Sequence, residues 1–240
     1  MTQQERPVQQ LQWIADGTRR LLEDLGALDD ASLDAPSLLP GWNRRYLLSH
    51  LANNAGALRT LLHWARTGEE RRMYASDEQR AADIAAGASA PAAQLRSLVA
   101  ASAQALWSDL DDLPLAAWSA QVITAQGLTR YAAEVPWMRV REVYIHAVDL
   151  DAGASFADLP PSFLAALLDD ISARRSAVGT SPALALAASD AGTTWQVKGG
   201  GDTTHVEASV ATLAEWLSGR PVNGLTDASG APVPDLPAWL

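Results

Sequence analysis

The sequence predicts an α plus α/β protein, with a helical domain over residues 1–152 and a small α/β domain over residues 153–240. Two observations support this prediction. In the first part, apolar residues recur every three or four positions, which is the period of one face of an α-helix. In the second part, short apolar and polar alternations flank the glycines at 199–201, a pattern typical of β-strands joined by a turn. A chain of this length can bury a substantial core without disulfides.

The helical period is clearest in four stretches of the first domain, at about residues 8–28, 43–66, 92–113 and 136–152. Pro136 opens the last stretch in a first-turn position, where its missing N–H group costs nothing. Residues 67–90 are polar at first and then helix-prone. Residues 118–135 are less regular and are compatible with a short hairpin or a loop.

The second domain begins with a further predicted helix at about residues 159–175. Residues 193–210 read as two strands around the glycine-rich turn. A short helix should follow and end at Gly219, and the proline-rich tail over 231–240 is expected to be extended.

The composition excludes several classes of function. The chain has no cysteine, which excludes disulfides, cysteine-ligated zinc and a cysteine nucleophile. Its formal net charge of -10 disfavours binding to nucleic acid or anionic lipid. A polar N-terminus without a signal-peptide core, and the lack of a long apolar run, predict no membrane span and a cytoplasmic location.

The four histidines of the chain fall in different environments. At 100° per residue, His50 shares the apolar side of its helix with Asn54, so both are expected to point into the core. His63 falls on the opposite side, among arginines, and is expected to face solvent. His205 lies in a predicted strand of the second domain.

Glu142 and His146 are four residues apart and therefore lie next to each other on one helical face, with Arg139 and Asp149 close to the same stripe. A polar stripe bordered by apolar residues is costly to bury unless its members are paired or bind an ion. Together with His50, the pair forms a three-ligand set that leaves a fourth position open, the pattern of catalytic zinc. Helical bundles build such sites from inward side chains on facing helices.

The sequence thus predicts one divalent metal ion held by His50, Glu142 and His146, with Asp149 or Asn54 fixing the tautomer of an imidazole. Simpler interpretations stay open at this point. A single histidine on an apolar face is more often a hydrogen-bonded core residue, and a Glu-x-x-x-His pair is more often solvated. No H-E-x-x-H motif is present to favour the metal.

Several stretches carry a resemblance to a known family. GWNRRYLLSHLANNA and REVYIHAVDL resemble the two ligand helices of DinB-like metal-binding bundle proteins. MYASDEQRAADIAAGA and the C-terminal GRPVNGLTDASGAPVPDLPAWL are similar to the mycothiol-dependent maleylpyruvate isomerase family in particular. The similar stretches extend from about residue 38 to residue 240.

The resemblance implies a DinB-like four-helix bundle followed by a sterol-carrier-like α/β domain. It implies zinc, or another divalent metal, on His50, Glu142 and His146, with mycothiol as the thiol cofactor. Arg80 falls on the position of the family's functional arginine, and Arg220 matches a C-terminal arginine of the family. Arg220 and Asn54 are the residues expected to contact the cofactor.

The reaction implied by the resemblance is the cis–trans isomerisation of maleylpyruvate to fumarylpyruvate in gentisate breakdown. The partners would be a small dicarboxylate substrate and a low-molecular-weight thiol, and the protein is expected to be a monomer. Arg80 would bind the substrate and stabilise the enolate that forms when the thiolate adds. Two alternatives remain: a mycothiol S-transferase of the same bundle family, and a non-enzymatic metal-binding stress protein.

Overall fold

The computed structural model describes residues 4–239 and divides into two compact units, with the boundary between Ala154 and Ser155. Residues 1–3 and 240, at the outer ends of the two expected domains, lie outside the described residues. The first three residues of the polar N-terminus, for which the sequence predicts no signal peptide, are among them. Within residues 4–239, no helix is both long enough and apolar enough to span a bilayer.

The first unit is helical, as predicted. Its described α-helices are α1 (Val8–Ala27), α2 (Arg44–Thr67), α3 (Asp77–Ala88), α4 (Ala92–Asp111) and α5 (Val135–Asp149). Two three-residue strands, β1 (Gln121–Ile123) and β2 (Thr129–Tyr131), pair antiparallel between α4 and α5. The hairpin is therefore the correct choice of the two structures compatible with that irregular segment.

Local sequence signals explain where α2 begins and ends. The side chain of Asn43 accepts a hydrogen bond from the backbone N–H of Tyr46, which satisfies one of the free donors of the first turn. Gly68 ends the helix in the left-handed conformation, with φ of 77°. The helix that carries His50 is thus capped at both ends.

Helix α5 ends at Asp149, earlier than the predicted end near Gly153. The chain leaves the helix at Asp151, whose φ is 55°. The guanidinium of Arg44, on α2, donates to the carbonyl oxygens of Leu150, at 2.7 Å, and Asp151. These bonds satisfy carbonyl groups that an additional helical turn would otherwise have used.

The core of the first unit joins the four longer helices. Helix α1 packs on α5, α4 packs on α2, and α2 also contacts α5. Gly17 allows the close approach of α1 to α5, because an added Cβ would lie only 2.6 Å from Cγ2 of Val143. Fully buried leucines from α1, α2 and α4 fill the space between the helices. This packing fixes α2 and α5, which carry the predicted metal ligands.

The second unit combines two helices with a three-stranded sheet. Its described elements are α6 (Pro161–Val178), β3 (Pro182–Ala188), β4 (Thr194–Val197), β5 (Gly200–Ala208) and α7 (Val210–Leu217). Strand β3 lies in the centre, antiparallel to β4 and parallel to β5.

The sequence prediction for this sheet was incomplete. Both strands predicted around the glycine-rich turn are present, but each pairs with β3, which the sequence analysis missed. The glycines do not form a hairpin turn. They lie where the chain crosses from β4, on one side of β3, to β5 on the other side. An added Cβ at Gly199 would lie 2.1 Å from the carbonyl oxygen of Ser181, so only glycine lets the backbone pass the start of β3 this closely.

Candidate metal centre

Helices α2 and α5 bring the three predicted ligands together. His50 on α2 places its Nε2 atom 2.9 Å from Oε2 of Glu142 on α5. His146, one turn beyond Glu142, places its own Nε2 atom 3.3 Å from the same carboxylate oxygen. One ligand atom from each residue lies within 4.8 Å of the other two. The arrangement joins two imidazoles and one carboxylate around a single point.

The three side chains are largely buried but keep some exposure to solvent. The exposed fraction is 8% for the side chain of His50, 15% for that of His146 and 21% for that of Glu142. The two imidazole rings meet edge to face, with centroids 5.2 Å apart, and the ring of Trp42 lies 5.4 Å from that of His50. The partial exposure of Glu142 leaves a route for a further ligand to reach the centre.

Asp149 fixes the orientation of the His146 ring. Its Oδ2 atom lies 2.7 Å from Nδ1 of His146, and its side chain is fully buried. A carboxylate only accepts hydrogen bonds, so the Nδ1 atom carries the proton and Nε2 faces Glu142. Asp149 and Asn54 were the two residues predicted to fix an imidazole tautomer, and the hydrogen bond to His146 confirms this role for Asp149.

Asn54 has a different partner. Its Oδ1 atom accepts a hydrogen bond of 3.0 Å from Nη1 of Arg139, and the same nitrogen donates to the carbonyl oxygen of Leu51 at 2.9 Å. Arg139 is 1% exposed and precedes Glu142 by one helical turn. These two hydrogen bonds form a clamp that ties α5 to α2, one helical turn from His50 and Glu142. The contact of Asn54 with a cofactor stays a prediction.

Burial and charge together set the protonation of the centre. Burial lowers the pKa of His146, but hydrogen bonds to Asp149 and Glu142 outweigh it and raise that pKa to about 9. Burial raises the pKa of Glu142, but the His50 charge and the imidazole hydrogen bonds hold it well below its usual value. For His50 burial dominates, and its pKa is lowered. In the metal-free protein at neutral pH, His146 is therefore the protonated imidazole and His50 is the neutral one.

The buried guanidinium of Arg139 adds a positive charge behind Glu142. Burial lowers its pKa to about 10, although the Glu142 charge acts in the opposite direction. Its Nη2 atom has no hydrogen-bond partner in the described part of the chain. Arg139 thus remains charged at neutral pH and favours the ionised form of Glu142.

Arg80 reaches the centre from α3. Ser76 caps this helix by accepting from the backbone N–H of Gln79. The Nη2 atom of Arg80 lies 3.4 Å from Nδ1 of His50, and its guanidinium lies over the ring of Tyr74, 5.4 Å from the centroid. Arg80 and Tyr74 also line a cavity of about 430 Å³ between α2, α3 and α4. Arg80 therefore contacts both the metal triad and this cavity, whose wall includes none of the three ligands.

The remaining residues singled out from the sequence lie elsewhere. His63 is partly exposed and lies 3.3 Å from Glu69, as expected for a surface histidine, and His205 is exposed in β5. Arg220 belongs to the second unit, where it follows α7 and donates from Nη1 to the carbonyl oxygen of Ser218 at 2.6 Å. Its contact with a cofactor stays a prediction.

Tyr74 is the residue beside the centre that the sequence analysis missed. It lies in the non-helical segment before α3, where no periodicity indicates which side chains turn inward. The only available signal was its position six residues before Arg80, in the stretch that resembles the isomerase family.

Comparisons with known proteins agree with this geometry. The family described as mycothiol maleylpyruvate isomerase N-terminal domain matches residues 14–151. Two solved structures, a mycothiol-dependent maleylpyruvate isomerase and a histidine-to-alanine mutant, are each similar with 38% identity, 97% coverage of both chains and a TM-score of 0.92. A search among curated proteins gives no match. With this identity over nearly its whole length, the chain belongs to the mycothiol-dependent maleylpyruvate isomerase family.

Proposed function

We propose that this protein catalyses the mycothiol-dependent cis–trans isomerisation of maleylpyruvate to fumarylpyruvate at a divalent metal held by His50, Glu142 and His146. One observation carries the proposal: the three ligand atoms converge beside Arg80 in a chain that has no cysteine of its own. The nucleophilic sulfur therefore has to come from a cofactor. The solved relatives are described as mycothiol-dependent isomerases, which identifies that cofactor and the reaction.

The donor set fits zinc. Ligands about 2.0–2.1 Å from a tetrahedral zinc ion lie about 3.3 Å from one another. The two nitrogen-to-oxygen distances here, 2.9 and 3.3 Å, are close to that separation. The carboxylate of Asp149 presents the Nε2 lone pair of His146 to the ion, as the outer partners of ligating histidines commonly do. Three protein ligands leave one coordination position open.

A metal held by His50, Glu142 and His146 would lower the pKa of a coordinated thiol, so that mycothiol would supply a thiolate near neutral pH. Addition of this thiolate to the conjugated double bond makes that bond single and free to rotate. Expulsion of the thiolate then restores the double bond in the trans form. The thiol is regenerated in each cycle and is not consumed.

The residues of the chain supply binding and charge. The guanidinium of Arg80 pairs with the dianionic substrate and with the enolate that addition creates, because its planar fork matches carboxylate oxygens. The clamp from Arg139 to Asn54 holds α5 against α2 and keeps the ligands in register. We assign Arg220 to mycothiol binding on the basis of the family resemblance, and Asn54 because it lies one helical turn from His50 on the same face of α2.

The proposal extends to the fold. The mutual packing of α1, α2, α4 and α5 supports a DinB-like four-helix bundle over residues 1–152, and the compact unit that begins at Ser155 supports a separate domain over residues 153–240. We propose that this second domain is sterol-carrier-like, that the protein acts in the cytoplasm and that it is a monomer.

The test is an ultraviolet assay of maleylpyruvate with a catalytic amount of mycothiol, repeated after removal of the metal by a chelator. We expect the absorbance of maleylpyruvate to be lost over many turnovers for each thiol molecule. Chelation should abolish the reaction, and added zinc should restore it. Consumption of one thiol for each substrate would instead indicate an S-transferase, and metal binding without turnover would indicate a non-enzymatic protein.

A further inference from the structure

Tyr74 lies beside the metal centre, next to Arg80, and the proposed mechanism gives it no role. It precedes α3, and the two residues just before it are held by neighbouring elements. The carbonyl oxygen of Arg72 accepts a hydrogen bond of 3.2 Å from Oγ1 of Thr60 on α2. The sulfur of Met73 accepts one of 3.2 Å from the backbone N–H of Ala125, which lies in the turn between β1 and β2. These two hydrogen bonds anchor the chain just before Tyr74 to α2 and to the β1–β2 turn.

The Tyr74 side chain contacts Arg80 and the cavity beside it. Its ring lies under the guanidinium of Arg80 and forms part of the wall of the 430 Å³ cavity. Burial is the main cause that raises the pKa of the hydroxyl, Arg80 lowers it through a hydrogen bond and its charge, and the charge of Glu142 raises it. The phenol is therefore protonated at neutral pH and can donate a hydrogen bond.

The chemistry of the reaction calls for donors at this position. As the carbon–sulfur bond forms, the electron pair of the carbon–carbon π bond moves to the oxygen of the conjugated ketone and gives an enolate. As the carbon–sulfur bond breaks, the pair returns from oxygen to the carbon–carbon bond, and no net proton is transferred. The enolate oxygen carries negative charge only in the middle of this sequence. Donors placed beside it accelerate the reaction, because they bind the charged state more strongly than the substrate.

We propose that Tyr74 is a catalytic residue whose phenolic hydroxyl donates a hydrogen bond to the enolate oxygen of the substrate, beside the guanidinium of Arg80. The inference rests on the proposed isomerase function. The cation and the phenol line the same cavity, and Arg80 also lies 3.4 Å from the ligand His50. The Arg80 guanidinium supplies charge, and the Tyr74 hydroxyl supplies a directed, neutral donor.

A purely structural role for Tyr74 makes a different prediction. If the ring served only as a platform for Arg80, phenylalanine would replace it fully, because the aromatic face would remain. A leucine would remove both the face and the hydroxyl. The two substitutions at one position therefore separate the contribution of the hydroxyl from that of the aromatic face.

The experiment uses the full-length, metal-loaded protein with saturating mycothiol. It compares kcat, KM for maleylpyruvate and metal content in wild type, Tyr74→Phe, Tyr74→Leu and the control Tyr144→Phe. Tyr144 is a matched control because it is a buried tyrosine on α5 whose ring faces Gly17 of α1. We expect Tyr74→Phe to lower kcat about 10- to 100-fold with metal content unchanged and KM altered by less than about threefold. Tyr144→Phe should turn over like wild type.

Each other outcome has a defined meaning. Wild-type kcat in Tyr74→Phe, or a rise in KM alone, would overturn the donor role while leaving the proposed function intact. Loss of metal from Tyr74→Phe would also overturn it, because the hydroxyl would then support the centre itself. If wild type and Tyr144→Phe both fail to isomerise maleylpyruvate, the proposed function fails, and this inference fails with it.

Discussion

Each compact unit has an arginine that is almost fully buried, Arg139 in the first and Arg175 in the second, and the two have different roles. Arg139 in the first unit is 1% exposed and lies one turn from Glu142, next to an accessible cluster of titratable groups. Arg175 in the second unit is 3% exposed and donates to the carbonyl oxygens of Leu217 and Pro237, both at 2.9 Å. It ties the end of α7 and the C-terminal tail to α6. Burial of a charge alone does not indicate a functional site.

The first unit differs from the second because several of its titratable side chains come together in one place. The buried polar groups on α2 and α5 contact one another, and the pKa values of their two histidines are shifted in opposite directions. Such separation of pKa values is typical of sites that do chemistry. The carbonyl groups around Arg175 cannot titrate, so they serve architecture. The contrast predicts that substitutions in the cluster of titratable groups change metal binding or turnover, whereas substitution of Arg175 changes stability.

The largest expected effect follows removal of a ligand. His146→Ala should lose the metal and lower turnover by more than about 100-fold, because two remaining ligands bind zinc poorly. Elemental analysis of the purified variant checks the first effect, and the ultraviolet assay checks the second. His63→Ala, at the exposed histidine of α2, is the matched control and should keep both. Normal metal content in His146→Ala would contradict the ligand assignment.

Removal of Arg80 should separate turnover from metal binding. We expect Arg80→Ala to lower kcat/KM about 100- to 1,000-fold, because the enolate loses its cation, while metal content stays at the wild-type level. Steady-state kinetics with elemental analysis of the same sample provides the measurement. Arg59→Ala, whose guanidinium pairs with Asp109 on α4, is a suitable control. Full turnover in Arg80→Ala would disprove the proposed role.

Arg175 should show the opposite behaviour. Arg175→Ala leaves the carbonyl oxygens of Leu217 and Pro237 without their donor, which should destabilise the second unit by about 2–4 kcal/mol. Denaturant unfolding followed by tryptophan fluorescence measures this loss, since Trp195 and Trp216 lie in that unit. Metal content should not change. A variant of wild-type stability that had lost its metal would break the contrast between the two arginines.

A smaller, graded effect is expected from pH. The pKa of His146 in the metal-free protein is about 9, so metal binding has to displace its proton below that pH. The apparent metal affinity should therefore rise about tenfold per pH unit between pH 6.5 and 9, with release of one proton. Calorimetric titration in buffers of different ionisation enthalpy counts that proton. Affinity independent of pH in this window would contradict the assignment.

The raised pKa of His146 also affects the stability of the metal-free protein. Because the folded-state pKa of His146 is raised above its value of 6.5 in an unfolded chain, its contribution to stability is fully present below pH 6.5. That contribution is lost as the pH rises through about 9. The chelated protein should thus unfold more easily at alkaline pH, and the metal-loaded protein should show less of this dependence.

Much of the first unit could be predicted because its signals are local. Helical periodicity located α1, α2, α4 and α5, and the face of α2 correctly placed His50 inward and His63 outward. The spacing of Glu142 and His146 correctly placed them on one face. What local signals cannot give is the distance between α2 and α5, which depends on packing, including the close approach at Gly17.

The parts that escaped prediction depend on contacts distant in the chain. Strand β3 was missed because its alternation uses alanine, which has a low preference for strands. The pairing of β4 and β5 with β3 is set by the crossing at Gly199, not by the turn that joins them. Tyr74 lies in an aperiodic segment, so only the folded chain reveals its place under Arg80.

The most direct test of the central claim is a metal titration of the chelated protein, with turnover of maleylpyruvate in the presence of mycothiol measured at each step. The account predicts that activity is absent without metal and rises linearly to a plateau at one ion per chain. It also predicts that His146→Ala shows no such rise. Full turnover in the metal-free protein, or a plateau unrelated to occupancy of one site, would contradict it.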